Sequence, residues 1–189
     1  SNPLLLLPRV IGLLGLSRAF AVLGKLAKGL KEPTHSLATT RYFSALPIAF
    51  GEHAVRFRLV PRSTPATDMP SSSDAEYLHK ELAARLAKDA VEYDFAVQFF
   101  VSEDKTPIED ASRDWNEADA PYLTIGRLTL PKQDVASPRG RQIAAFVEKL
   151  SFDPWHALVD HRPLGAMMRA RKHAYYESTQ GRSATPDAP

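Results

Sequence analysis

Hydrophobic positions along the chain switch between two periods, and the switches mark the elements. From Leu13 to Leu30, apolar residues at Leu13, Leu16, Phe20, Leu23, Ala27 and Leu30 recur at helical spacing. This predicts a helix whose apolar stripe thins toward its end. "KEPTHS" then punctuates the pattern, and Arg41 to Gly51 reads as an extended, Pro-interrupted segment. His53 to Val60 alternates: Val55, Phe57 and Leu59 point one way, Arg56 and Arg58 the other. That is the pattern of a half-buried strand. "PRSTPATDMPSSS" is a loop, rich in Pro, Ser and Thr. Asp74 or Ser73 is placed to cap a helix carrying Leu78, Leu82 and Leu86 on one face.

A second strand, mostly apolar, is predicted at Asp94 to Val101. The polar loop "SEDKTPIEDASRDWNEADAP" follows, with Trp115 as its expected buried residue, and Tyr122 to Leu130 is a third strand. Ser137 caps a helix that has Pro138 at its first position and Ile143, Phe146, Val147 and Leu150 as its apolar residues. "FDPWHALVDHRPLG" is a stiff connection to a helix from about Ala166 to Ser178, and a polar tail ends the chain. No internal repeat is visible. Strands separated by helices and long loops predict the α+β class with an antiparallel sheet. Three clear strands and one irregular one are too few for a closed barrel, since a small barrel needs about eight strands.

Composition narrows the function classes. The hydrophobic fraction is 44%, enough for a sizeable core. Net charge is +2, from 24 basic and 22 acidic residues, which gives no global case for nucleic acid or an anionic membrane. The absence of cysteine excludes disulfides, thiol nucleophiles and thiolate metal or haem ligation. It also fits a reducing compartment, and a cytoplasmic location is expected. "SNPLLLLPRVIGLLGL" has no basic residues before its apolar run, and Pro8, Arg9, Arg18 and Lys25 interrupt the pattern. Neither a signal peptide nor a membrane span is therefore expected. Packed amphipathic helices are the favoured reading there and membrane-surface binding the lesser one. The opening in mid-pattern suggests the C-terminal portion of a longer protein.

The candidate chemistry lies in "RARKHAYYES", Arg169 to Ser178. Three-four helical spacing puts Leu164, Met168, Arg171, Tyr175, Ser178 and Arg182 on one face, with Tyr176 on another. Gly181 is expected to end the helix before Arg182. An arginine one turn from a phenol favours the phenolate. A phenolate is a hard anionic oxygen suited to ferric iron, and tyrosine serves as an axial ligand in some haem proteins. A second arginine could pair with a haem propionate. The same pattern also suits a core tyrosine beside solvated arginines. Other signals are weaker. Arg169, Arg171 and Lys172 form too short a cluster for a phosphate-binding surface. His156 and His161 are five apart, not the four of a helical metal pair. "SEDKTPIED" lacks calcium-loop spacing, and Ser73, Ser102 and Ser112 lack a nucleophile elbow.

"LSFDPWHALVDHRPLGAMMRARKHAYYES" resembles the proximal-side segment of the catalase superfamily. There a Phe-Asp/Asn-Pro motif, here Phe152-Asp153-Pro154, ends the barrel region, and a Pro-rich connection leads to a helix with R-x-x-x-Y. "PIEDASRDWNEADAPYLTIGRLTL" and "RYFSALPIAFGEHAVRFRLVP" resemble two further barrel segments in the same order. The wording of "FDPWHALVDHRPLG" is closest to small bacterial catalase-like haem proteins. The resemblance covers about Arg41 to Arg182. It implies the second half of an antiparallel catalase-type β-barrel with flanking α-helices. It implies one domain over 1–189: a helical segment (1–40), barrel strands and helices (41–150), a proximal haem segment (151–182) and a tail (183–189).

The resemblance also implies haem b. Tyr175 would be the axial ligand of the iron, Arg171 the cation that keeps it ionised, Arg182 a propionate partner, and Met168 and Phe152 haem contacts. The implied activity is catalase- or peroxidase-type chemistry on hydrogen peroxide or organic hydroperoxides, with no nucleic-acid partner, no stable membrane insertion and a possible homo-oligomer. The sequence departs from the family in one respect: the distal histidine and asparagine have no counterpart. His35, His53, His79, His156, His161 and His173 all stand in other contexts. No catalytic residue is therefore assigned, enzyme activity stays open, and a non-catalytic remnant or assembly module without haem is the alternative.

Overall fold

The computed structural model describes residues 34–63 and 74–181. The predicted helix at Leu13 to Leu30, Ser73 and Arg182 lie outside the described residues. The chain divides into two units, Ser1–His35 and Ser36–Pro189, and every element described here belongs to the second.

A single antiparallel sheet carries the site. Its strands are β1 (Tyr42–Phe43), β2 (Ile48–Phe50), β3 (His53–Pro61), β4 (Val91–Phe99) and β5 (Tyr122–Leu130). The order is β1-β3-β4-β5, with β2 also pairing β3. The segment read as extended and Pro-interrupted thus supplies two short strands. Phe50 pairs with His53 across a two-residue turn, in which Gly51 adopts φ +61°, the left-handed conformation that tight hairpins need. The strand expected at Asp94 to Val101 runs from Val91 to Phe99 instead. Val91 and Tyr93 continue the alternation N-terminally, and both are buried.

The helices are α1 (Tyr77–Lys88), α2 (Pro138–Val147) and α3 (Ala166–Gly181). Asp74 does not cap α1 directly: its Oδ1 accepts from Glu76 N and its carbonyl from Tyr77 N, so it folds the turn before the helix. Ser137 caps α2 as expected, its Oγ accepting from Gly140 N, with Pro138 in the first turn.

Two faces of the sheet differ in kind. On one, Leu86 of α1 packs with Ala38, Val91 and Tyr93, and Leu59, Leu82 and Leu130 complete the cluster. Burying each large apolar side chain there contributes about 1.5–3 kcal/mol. Farther along, Phe57 and Phe95 meet at 5.6 Å with both side chains only half-buried. Leu123 beside them is 54% exposed. The other face was expected to be solvated, because it carries Arg56 and Arg58. It is covered instead. The 101–121 loop lies over it, putting Trp115 against Arg56, and Tyr122 at the start of β5 stacks against Arg58. Trp115 is buried, as its setting in a polar loop implied, and its indole N–H donates to Pro107 O at 3.0 Å.

The sheet is open. Among the described residues β5 pairs only with β4. Of the apolar residues named for α2, Ile143, Phe146 and Val147 are exposed, and Leu150 falls beyond the helix. The period of that helix was legible; Ile143, Ala144 and Val147 line a cavity of about 250 Å³ with Leu82 and Leu86 of α1, and Phe146 is the most exposed of the stripe.

Candidate proximal haem site

The 158–165 connection positions the last helix. Ala49 N donates to Arg162 O, Gly51 N to Asp160 O, and Leu164 N to Pro47 O, so the connection runs along β2 like a further strand. Gly165, at φ +89°, then turns the chain into α3. A Cβ there would meet Ile108 O at 2.6 Å, so only glycine permits this approach to the 101–121 loop. An ion pair reinforces the docking: Arg169 Nη1 and Nη2 donate to the two carboxylate oxygens of Glu109, at 3.2 and 2.8 Å. Glu109 also accepts from the Ala166 backbone N–H, which places a carboxylate at the N-terminus of the helix.

This docking fixes the azimuth of α3. Met168 is buried, and Arg171, Tyr175 and Thr179 are half-buried, while Lys172, His173 and Tyr176 are exposed. The stripe predicted from spacing is therefore the covered face, with Thr179 in place of the exposed Ser178. The helix continues through Gly181, three residues past the expected end, because an exposed glycine lowers helix stability without terminating it.

Along that face Arg171 Nη2 donates to Tyr175 Oη at 2.7 Å. Arg171 Nη1 lies 4.0 Å from Met168 Sδ, and its guanidinium carbon is 5.3 Å from the Tyr175 ring centroid. Thr179 Oγ1 donates to Tyr175 O. Opposite the phenol, Asp153 folds a tight turn: its Oδ1 accepts from Trp155 N at 2.9 Å and its carbonyl from His156 N. The turn brings Phe152, Asp153 and Pro154 to Tyr175 around a cavity of about 260 Å³. Phe152 is 58% exposed.

Of the five residues assigned to cofactor binding, Phe152 and Tyr175 line one cavity, and Arg171 and Met168 join Tyr175 through its hydrogen-bonded stripe; Arg182 lies outside the described residues. The flanking basic residues have other duties. Arg169 holds Glu109, and Lys172 Nζ sits 5.0 Å over the Trp155 ring. The histidines serve elsewhere: His53 packs on Phe99, His161 on Phe50, and His173 lies 4.0 Å from Glu177. Among the described residues no group of three His, Cys, Asp or Glu side chains could hold a metal ion. Among them also, no helix is long and apolar enough to cross a membrane. Sequence reasoning missed Glu109, whose pairing with Arg169 spans 60 positions.

The donor set fits the proximal side of a haem. Tyr175, its phenol oxygen held by a guanidinium, lines a cavity with an aromatic ring and a proline beside it. The cavity is smaller than the roughly 300–1,000 Å³ usual for ligand pockets, so these residues supply one wall of a site.

No family model matches the chain. In sequence, it is similar to a catalase-related peroxidase of Mycolicibacterium paratuberculosis, 34% identical over 121 residues, which covers 59% of this chain and 37% of the relative. The chain thus spans little more than a third of that protein's length. In structure, it is similar to a fungal catalase with a TM-score of 0.63 at 17% identity, covering 80% of this chain and 32% of that one. A bacterial catalase aligns with a TM-score of 0.60, also at 17% identity, over 78% of this chain and 31% of its own. The chain is thus similar in sequence to part of a catalase-related peroxidase, and its fold is similar to part of the catalase fold.

Proposed function

We propose that the chain provides the proximal half of the haem site of a catalase-like protein acting on hydrogen peroxide or organic hydroperoxides. The observation that carries this reading is the 2.7 Å hydrogen bond from Arg171 to the Tyr175 oxygen at the Phe152–Pro154 cavity. In this reading Tyr175 ligates the iron, Arg171 stabilises negative charge on the ligating oxygen, and Met168 and Phe152 contact the macrocycle. Arg182 pairs with a propionate. Bound haem supplies the redox chemistry, and the protein positions and tunes it. The α3 stripe orients the ligand, Glu109 and Arg169 hold the helix that carries it, and the Asp153 turn sets the facing wall.

Spectral titration with haemin tests the reading. Wild type is expected to give a bound spectrum with phenolate-to-iron charge-transfer bands, and Tyr175→Phe to lose them. Unchanged bands in Tyr175→Phe would remove the ligand assignment. A second reading is favoured by one observation: β5 pairs on one side only among the described residues. In that reading the chain is a non-catalytic assembly module that holds haem only when another polypeptide completes the sheet. Haem retention by the chain alone separates the two.

A further inference from the structure

Trp155 makes a contact that the ligand stripe of α3 does not account for. The residue is half-buried, and its indole N–H is buried without a hydrogen-bond partner. A buried donor left unpaired is destabilising, so local stability alone favours a plain apolar ring at this position. What the indole offers beyond a phenyl ring is the best aromatic face for a cation. Lys172 of α3 uses that face, with its Nζ 5.0 Å from the ring centroid.

The contact joins the two pieces of chain that wall one cavity. Asp153 Oδ1 accepts from Trp155 N at 2.9 Å, and Asp153 O accepts from His156 N at 3.0 Å. Those bonds shape the turn but do not reach α3. The connection that leads from the turn to the helix is held on β2 instead, where Asp160 O and Arg162 O accept from Gly51 N and Ala49 N. Phe152, at 58% exposed, is too loosely packed to fix the turn by itself. Lys172 spans the gap directly. It stands three residues before Tyr175, so its anchorage on Trp155 ties the turn to α3 within one helical turn of the phenol. Phe152, Asp153, Pro154 and Tyr175 line the cavity of about 260 Å³ between the two pieces, and Lys172 does not.

We propose that Trp155 and Lys172 are positioning residues: their contact clamps the Phe152–Pro154 turn against α3 and sets the spacing between Phe152 and Tyr175. The consequence for haem rests on the reading of this cavity as a proximal haem site. There the clamp holds the wall that contacts the macrocycle at a fixed distance from the ligating oxygen, and Lys172 acts on it only through Trp155.

NMR of the full chain tests the clamp without haem. Lys172 is exposed, so substitutions there leave the fold intact. Lys172→Met keeps the side chain's length and removes its charge. It is expected to shift the Phe152 ring resonances, and Lys172→Arg to return them to their wild-type positions, with the melting temperature unchanged in both. In Trp155→Leu the Phe152 shift should already be present, and adding Lys172→Met should cause no further change, as for two members of one contact. Haemin titration then reads the effect on the site. Affinity is expected to fall about two- to fivefold in Lys172→Met, the size of an exposed cation–π contact, and to be restored in Lys172→Arg. Phe152 resonances unmoved in Lys172→Met would overturn the clamp, and so would a shift that Lys172→Arg does not reverse. Unchanged haemin affinity in Lys172→Met, with Phe152 displaced, would overturn the positioning role. If wild type gives no phenolate-to-iron bands, the haem reading falls, while the Phe152 resonances still decide the clamp.

Discussion

Arg171 and Tyr175 are bound to each other within one helical turn, Nη2 to Oη at 2.7 Å, on the covered face of α3. A haem-binding role for the pair therefore makes separable predictions for its two members. Tyr175→Phe removes the oxygen and is expected to abolish charge-transfer bands in a haemin titration. Arg171→Gln keeps the oxygen and loses the cation, so weaker haem binding, by about tenfold, with bands retained but shifted is expected. Identical spectra for wild type and Arg171→Gln would separate the arginine from the site.

Glu109 is expected to report helix docking through acid pH. Its hydrogen bond from Arg169, the largest cause, lowers the carboxyl pKa below the ordinary glutamate range, and its backbone bond from Ala166 adds to this. The folded state thus holds its proton less tightly than the unfolded one. The stabilisation is present above the unfolded value of about 4.3 and lost as pH falls through the depressed folded value. Glu109→Gln should flatten that part of the acid unfolding curve while leaving neutral-pH secondary structure intact. Circular dichroism against pH measures it.

Alkaline pH is expected to act through Tyr93. Burial pushes its phenol up to about 12, with neighbouring Tyr42 adding to the rise. Both hydroxyls donate to Leu37 O, at 2.7 and 2.8 Å. A raised folded value means stability is intact below about 10 and is lost as pH climbs from there to about 12. Tyr93→Phe should remove this contribution, and denaturant midpoints across that range check it.

Core and surface are expected to respond differently to mutation. Leu86→Ala, in the cluster with Val91 and Tyr93, should cost about 2–5 kcal/mol by urea unfolding. Ile143→Ala on exposed α2 should change stability by less than about 0.5 kcal/mol. A large loss in the second variant would mean that its apolar face is covered in solution.

Among the described residues one edge of β5 is unpaired, and Leu123, Ile125 and Leu128 of this strand are each more than two-fifths exposed. Open edges of this kind promote pairing between chains. Leu123→Lys is expected to reduce concentration-dependent association of the chain, measured by sedimentation velocity.

Local pattern determined much of this protein. Alternation placed β3, Ser137-Pro138 set the start of α2, and three-four spacing put Met168, Arg171 and Tyr175 on one helix face with Tyr176 off it. These features depend on residues within a turn or a strand of each other, where period and capping chemistry decide the outcome. The motif order also pointed to the catalase superfamily. Tertiary structure decided the rest. Arg56 and Arg58 read as a solvated face, yet the 101–121 loop covers them, a long-range contact invisible to alternation. Ile143, Phe146 and Val147 are the apolar residues of α2, yet they are exposed, because a hydrophobic stripe states what a helix can bury and not how closely a neighbour packs. Glu109 emerged only when Gly165 let the last helix approach the loop closely enough for Arg169 to reach it.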